Sequence, residues 1–177
     1  MSEQLPYRAT AAGAAYDELV RLPVSVLLDN VRSAYNVGAF FRTLDAVGGS
    51  RLFLGGFTPT PAHRGVAKTA LGAETTLSWS PVEDVSRLLD ELRAGGATIA
   101  AIETSLAAVD VFDWQPTFPV CLVFGHETDG VATDLASGIQ THVRIPMHGT
   151  KRSLNVATAA GVVLYELLRR RLYAGSM

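Results

Sequence analysis

One cysteine, two tryptophans and four histidines in 177 residues exclude several classes of protein at once. The single thiol, Cys121, allows no disulfide framework, and its place in the apolar run PVCLVF predicts a small buried hydrophobe rather than a nucleophile. No uninterrupted apolar run approaches the roughly 20 residues that a bilayer crossing needs. The opening residues, MSEQLPYRAT, show neither a basic start followed by an apolar stretch nor an amphipathic Arg/Ser-rich pattern, so a cytoplasmic protein is expected.

Familiar reactive motifs are missing too. The histidines, His63, His126, His142 and His148, have no metal-ligand spacing and no cysteine partners, so no metal is expected. The string HGTKRS lacks the glycine that a phosphate-binding P-loop carries five residues before its Gly-Lys pair. No strand is followed by G-x-G-x-x-G, and no G-x-S-x-G elbow marks a serine hydrolase. Net charge is −2, which argues against binding polyanions through bulk charge, but the charge is uneven: +1 over residues 1–80, −8 over 81–140 and +5 over 141–177. Such asymmetry suits either a local nucleic-acid footprint or a solvated acidic helix face.

What is present is an alternation of elements. Hydrophobic residues make up 48% of the chain, and its length suits one domain, 1–177, with residues 1–23 as a short extension before the first strand. Strands are predicted at Val24 to Leu28, Arg51 to Leu54, ATIAAIE, PVCLVFG and THVRIP. Helices are predicted from Val37 to Val47, from Ser80-Pro81 to Gly95, near Val131 to Ala136 and from about Ser153 to Leu172, with GFTPTPAHRG as a loop. Continuously apolar strands separated by helices imply an α/β domain whose mostly parallel sheet is covered by helices on both faces, with ligands at the carboxyl ends of strands.

Three strand-end loops hold unusual polar sets. In DNVRSAYNVGAFFRTLDAVG, Val37, Phe40, Phe41 and Leu44 share one helix face and Arg42 lies opposite. Helical side chains lean toward the N-terminus, so Arg42 should lie over Gly38 and reach toward Asn36. The bland alternatives are an Arg42–Asp45 ion pair and Asn36 as a helix cap. In FGHETDGV, Gly125 and Gly130 bracket Glu127 after a buried strand; Thr128 or Asp129 capping the next helix is the alternative. In IPMHGTKRSLNVATAAG, Ser153 can cap the last helix, but Val156 stands where a capping box needs Glu or Gln, and Asn155 is left unexplained.

In this order the three stretches resemble the motifs of the SpoU (TrmH-like) RNA ribose methyltransferases of the SPOUT superfamily, over roughly residues 24–170. The resemblance implies a C-terminal trefoil knot, an exception to the usual unknotted topology. It implies S-adenosylmethionine as methyl donor, held around Glu103, Thr104, Phe124, Gly125, Ile145, Met147, Ser153, Leu154 and Asn155. It places Asn36, Arg42, Glu127, Ser153 and Asn155 at active-site positions, with the arginine as the base for a ribose 2′-hydroxyl, and it implies a homodimer. A guanidinium holds its proton at neutral pH and is a poor base there, so Arg42 reads as a positioner that stabilises developing alkoxide charge.

Candidate RNA contacts are Arg8, Arg32, Arg64, Lys68, Lys151 and Arg152, with the Arg169–Arg171 run either joining them or serving as favourable charge at a helix end. The expected substrate is structured RNA, tRNA before rRNA. Two alternatives remain open: an RNA-binding or assembly factor that keeps the donor pocket, and a SPOUT-type base methyltransferase.

Overall fold

The computed structural model describes residues 21–173. Arg8 lies outside them. Seven strands make one sheet, β1 (Val24–Asp29), β2 (Arg51–Gly55), β3 (Trp79–Val82), β4 (Thr98–Ile102), β5 (Val109–Asp110), β6 (Val120–Phe124) and β7 (Thr141–Arg144), in the order β3-β2-β1-β6-β4-β7-β5. Every pairing is parallel. The helices are α1 (Ala34–Ala46), α2 (Arg64–Ala70), α3 (Ala73–Thr76), α4 (Val85–Ala94), α5 (Thr133–Ser137) and α6 (Val156–Tyr173). None is long and apolar enough to cross a membrane among the described residues.

The central strands are buried on both faces, which is why β1 and β6 are continuously apolar rather than alternating. Val26, Leu28, Leu122 and Phe124 turn to one side and meet Phe40, Phe41 and Leu44 of α1 and Leu164 and Leu167 of α6. Leu27, Cys121 and Val123 turn to the other side, against Leu89 of α4. Phe40 packs edge-on against Phe124 with ring centroids 5.0 Å apart, so the first and second motif-bearing elements share a core contact.

Several boundaries differ from the sequence reading. Helix α1 starts three residues earlier than predicted, because Ser33 rather than Asn36 is its cap: the Ser33 hydroxyl accepts from the Asn36 N–H at 3.3 Å. Ser80 and Pro81 belong to β3, not to a helix start; β3 is an edge strand, where proline is tolerated, and α4 begins after Asp84, whose carboxylate accepts from the Arg87 N–H at 2.9 Å. The proline-rich loop ends at His63, which caps α2 by accepting from the Gly65 N–H at 3.0 Å.

Gly38 has a different use from the one its sequence position suggests. A Cβ there would stand 1.9 Å from Thr69 Oγ1 and 2.4 Å from the Val66 carbonyl oxygen, so the glycine lets α2 pack directly on α1 rather than clearing a path for Arg42. The same helix also holds the start of α1, with Thr69 Oγ1 donating to the Tyr35 carbonyl at 3.1 Å.

Candidate active site

The loop after β6 is folded back on itself by backbone bonds. The His126 N–H donates to the Gly130 carbonyl and the Gly130 N–H to the His126 carbonyl, both at 2.9 Å. Both bracketing glycines are required by the close fit. A Cβ on Gly125 would be 2.1 Å from the Gly130 oxygen, and Gly130 has φ +72° with Glu103 Oε1 2.3 Å from where its Cβ would be. Glu103, just beyond β4, accepts from the Val131 N–H and so ties this turn to the neighbouring strand end.

Glu127 sits at the tip of that turn and reaches the loop after β1. Its carboxylate accepts from the backbone N–H groups of Arg32 and Ser33, each at 2.9 Å, and from Asn36 Nδ2 at 3.0 Å. Asn36 Oδ1 in turn accepts from Asn155 Nδ2 at 3.2 Å, and Asn155 Oδ1 accepts from the N–H groups of Ala157 and Thr158 at 3.0 and 3.2 Å. The direction of this chain is dictated by chemistry. A carboxylate can only accept, so Asn36 must present its amide nitrogen to Glu127 and its oxygen to Asn155, which leaves the Asn155 oxygen for the free N–H groups that open α6. Asn155 is therefore the cap that the sequence reading gave to Ser153, and the three motif loops are joined within one chain.

Partial burial works to raise the Glu127 pKa, but the bonds from Arg32, Ser33 and Asn36 outweigh it and hold the carboxyl below its ordinary range. Thr128 turns its hydroxyl toward His126 Nδ1 at 3.0 Å, and α5 begins after Ala132 with no side-chain cap, so neither Thr128 nor Asp129 caps that helix.

Beside this network the ends of β4, β6 and β7 open a cleft of about 660 Å³. Its lining includes Glu103, Thr104, Phe124, Gly125, Ile145, Met147, Ser153, Leu154 and Asn155, together with Glu127 and Arg152. Ile102, Val143, Val156 and Ala159 complete the apolar wall and were not singled out in the sequence. Ile102 and Val143 lie at strand ends, where the rule for parallel sheets directs attention; Val156 stands out only as the residue that breaks a capping box, and Ala159 is a small residue suited to close helix packing.

Other candidates fall elsewhere. Arg42 is exposed on α1 and does not line this cleft, and Asp45 accepts from the Thr76 hydroxyl at 2.9 Å instead of pairing with it. Arg32, Arg64, Lys68 and Lys151 are exposed. The arginine run serves the helix it ends: Arg169 and Arg170 grip the buried Glu166 at 2.8 and 2.7 Å, Arg170 also donates to the Phe112 carbonyl, and Arg171 lies over the Phe118 ring. Arg169, with Arg170 adding to it, holds the Glu166 carboxyl below its ordinary range against the opposing effect of burial.

Residues 23–165 match the sequence profile of the SpoU rRNA Methylase family. The chain belongs to that family. It is 33% identical over 149 residues to the 23S rRNA (guanosine-2′-O-)-methyltransferase RlmB of Ralstonia nicotianae, a match covering 84% of this chain and 59% of that protein. Among solved structures, the TrmH/SpoU tRNA modifying enzyme of A. aeolicus superposes with a TM-score of 0.79 at 30% identity, over 88% of this chain and 78% of the other. The SpoU methyltransferase AviRb of Streptomyces viridochromogenes, solved in complex with AdoMet, gives a TM-score of 0.78 at 29% identity, over 87% of this chain and 60% of the other. The chain spans about three fifths of the length of the first curated relatives it matches.

Proposed function

We propose that this chain transfers a methyl group from S-adenosylmethionine to a ribose 2′-hydroxyl of structured RNA. The observation that carries this reading is the Glu127–Asn36–Asn155 chain of hydrogen bonds at the rim of the strand-end cleft, in a member of the SpoU family. The cleft suits the donor chemically. Ile102, Phe124, Ile145, Leu154 and Val156 offer apolar surface to an adenine, while Glu103, Thr104 and the backbone of the loops offer partners to ribose and amino-acid groups. The bound donor would supply an electrophilic methyl on a sulfonium centre.

What remains for the protein is alignment, and well-oriented groups can lower a barrier by roughly 7 to 11 kcal/mol. Asn36, fixed in orientation by Glu127 and Asn155, would hold the ribose or its phosphate; Ser153 and Asn155 would border the donor. Arg42 would stabilise charge developing on the 2′-oxygen. Because Arg42 stands outside its own chain's cleft, the reading includes a homodimer in which a second copy completes the site; a monomer in sedimentation equilibrium at assay concentration would contradict it. It also includes the C-terminal trefoil knot that the family resemblance implies. We favour tRNA over rRNA, because tRNA is the RNA class named for the A. aeolicus modifying enzyme on which the chain superposes with a TM-score of 0.79. The reading also includes a cytoplasmic protein.

The test is incubation with methyl-labelled S-adenosylmethionine and undermodified bulk tRNA, in parallel with rRNA. Arg42→Ala should abolish incorporation and leave donor affinity near that of the wild type; Asn155→Ala should weaken donor binding itself. Donor binding without incorporation into either RNA would favour an assembly factor instead.

A further inference from the structure

The cleft does not account for two exposed aromatic rings beside it. Tyr35, one residue before Asn36, is 57% exposed, and Phe57, in the loop after β2, is 60% exposed. The residue after Tyr35 and the ring of Phe57 both reach the turn after β6. Asn36 donates to Glu127 at 3.0 Å, and the Phe57 ring meets His126, a cleft residue, edge-on with centroids 6.1 Å apart. Both rings are seated on fixed backbone: the Tyr35 carbonyl accepts from Thr69 Oγ1 at 3.1 Å, and the Phe57 N–H donates to Asn30 Oδ1 at 3.3 Å.

Cations flank the tyrosine. Lys68 Nζ lies 6.0 Å from its ring centroid, and Arg64 is one turn earlier on the same exposed face of α2. An exposed lysine over a tyrosine stabilises a fold little. A ring serving the core alone would turn inward, as Phe40 and Phe41 of the same helix do.

Resting on the proposed activity, we propose that Tyr35 and Phe57 are stacking platforms for bases of the substrate RNA, with Lys68 and Arg64 on its phosphates. Proteins that act on RNA loops and ends splay their bases out of the stack, and aromatic faces are what receive the displaced bases. Stacking of this kind tolerates any base, so the platforms would set the conformation of the strand while Asn36 and its partners act on the ribose.

The experiment is equilibrium binding of two fluorescein-labelled probes, a twelve-residue oligouridylate and undermodified bulk tRNA, to the full chain, with donor affinity measured beside it. Tyr35→Ala and Phe57→Ala should each weaken RNA binding about tenfold while donor affinity stays near the wild-type value, and Tyr35→Phe should bind normally. Lys68→Gln should lower the salt slope of binding by about one. Wild-type RNA affinity in both alanine variants, or a Tyr35→Phe loss equal to that of Tyr35→Ala, would overturn the platform. The binding readout needs no turnover. Ring-dependent binding in a chain that forms no 2′-O-methyl product would uphold the platform and overturn the activity; product made by both alanine variants at an unchanged KM would overturn the platform alone.

Discussion

Asn155 shows how a single amide can serve fold and site together. Its oxygen caps α6 and its nitrogen orients Asn36, so the two uses can be separated by substitution. Asn155→Asp keeps the capping oxygen and loses the donor; its thermal midpoint should stay near that of the wild type while methyl transfer falls steeply. Asn155→Ala should in addition cost about 1 kcal/mol of stability from the lost cap. Glu127 sets the pH limits of the same chain of bonds. Its folded pKa is depressed, so its contribution is fully present above the ordinary value of 4.5 and is lost as pH falls through the lower folded value. Donor affinity measured against pH should therefore show no Glu127-dependent change between pH 6 and 9, and should fall only in acid, below the ordinary carboxylate range. At this scale the sequence named the participants but not their bonds. Ser153 looked like the cap because it precedes the apolar stretch, and only the direction of hydrogen bonding, which depends on residues more than a hundred positions apart, transfers that role to Asn155.

The elements that were legible are those whose pattern is local. Val37, Phe40, Phe41 and Leu44 announce α1 by their spacing and are fully buried in it, and PVCLVFG announces β6 by its unbroken apolar run. What was not legible depends on neighbours. Pro81 reads as a helix start until β2 is seen to pair beside it, β5 has only two residues, and α2 is short and caps through a histidine. Gly38 is the clearest case: its freedom is used by a helix that the sequence did not reveal. Gly38→Ala would place a methyl 1.9 Å from Thr69 Oγ1, and the resulting overpacking should cost about 1 to 3 kcal/mol, offsetting the gain of at most about 1 kcal/mol in helix propensity. Urea midpoints of the two proteins check this; an unchanged or raised midpoint would mean that the α1–α2 contact yields easily.

Across the whole molecule, the sheet order brings together loops that lie far apart in sequence. β1 and β6 are adjacent at the centre, with β4 and β7 next, so the loops after three of these strands converge on one cleft and the loop after β1 closes its rim. Alternating strands and helices indicated a parallel sheet, but strand order follows from packing between distant segments and has no local signature. The most direct test of the central claim is the chemical identity of the product. RNA treated with the purified protein and S-adenosylmethionine should be digested to nucleosides and analysed by mass spectrometry. The expected result is a nucleoside methylated on its ribose, absent when Arg42 is replaced by alanine; a methyl group on a base, or an Arg42→Ala protein as active as the wild type, would contradict the account.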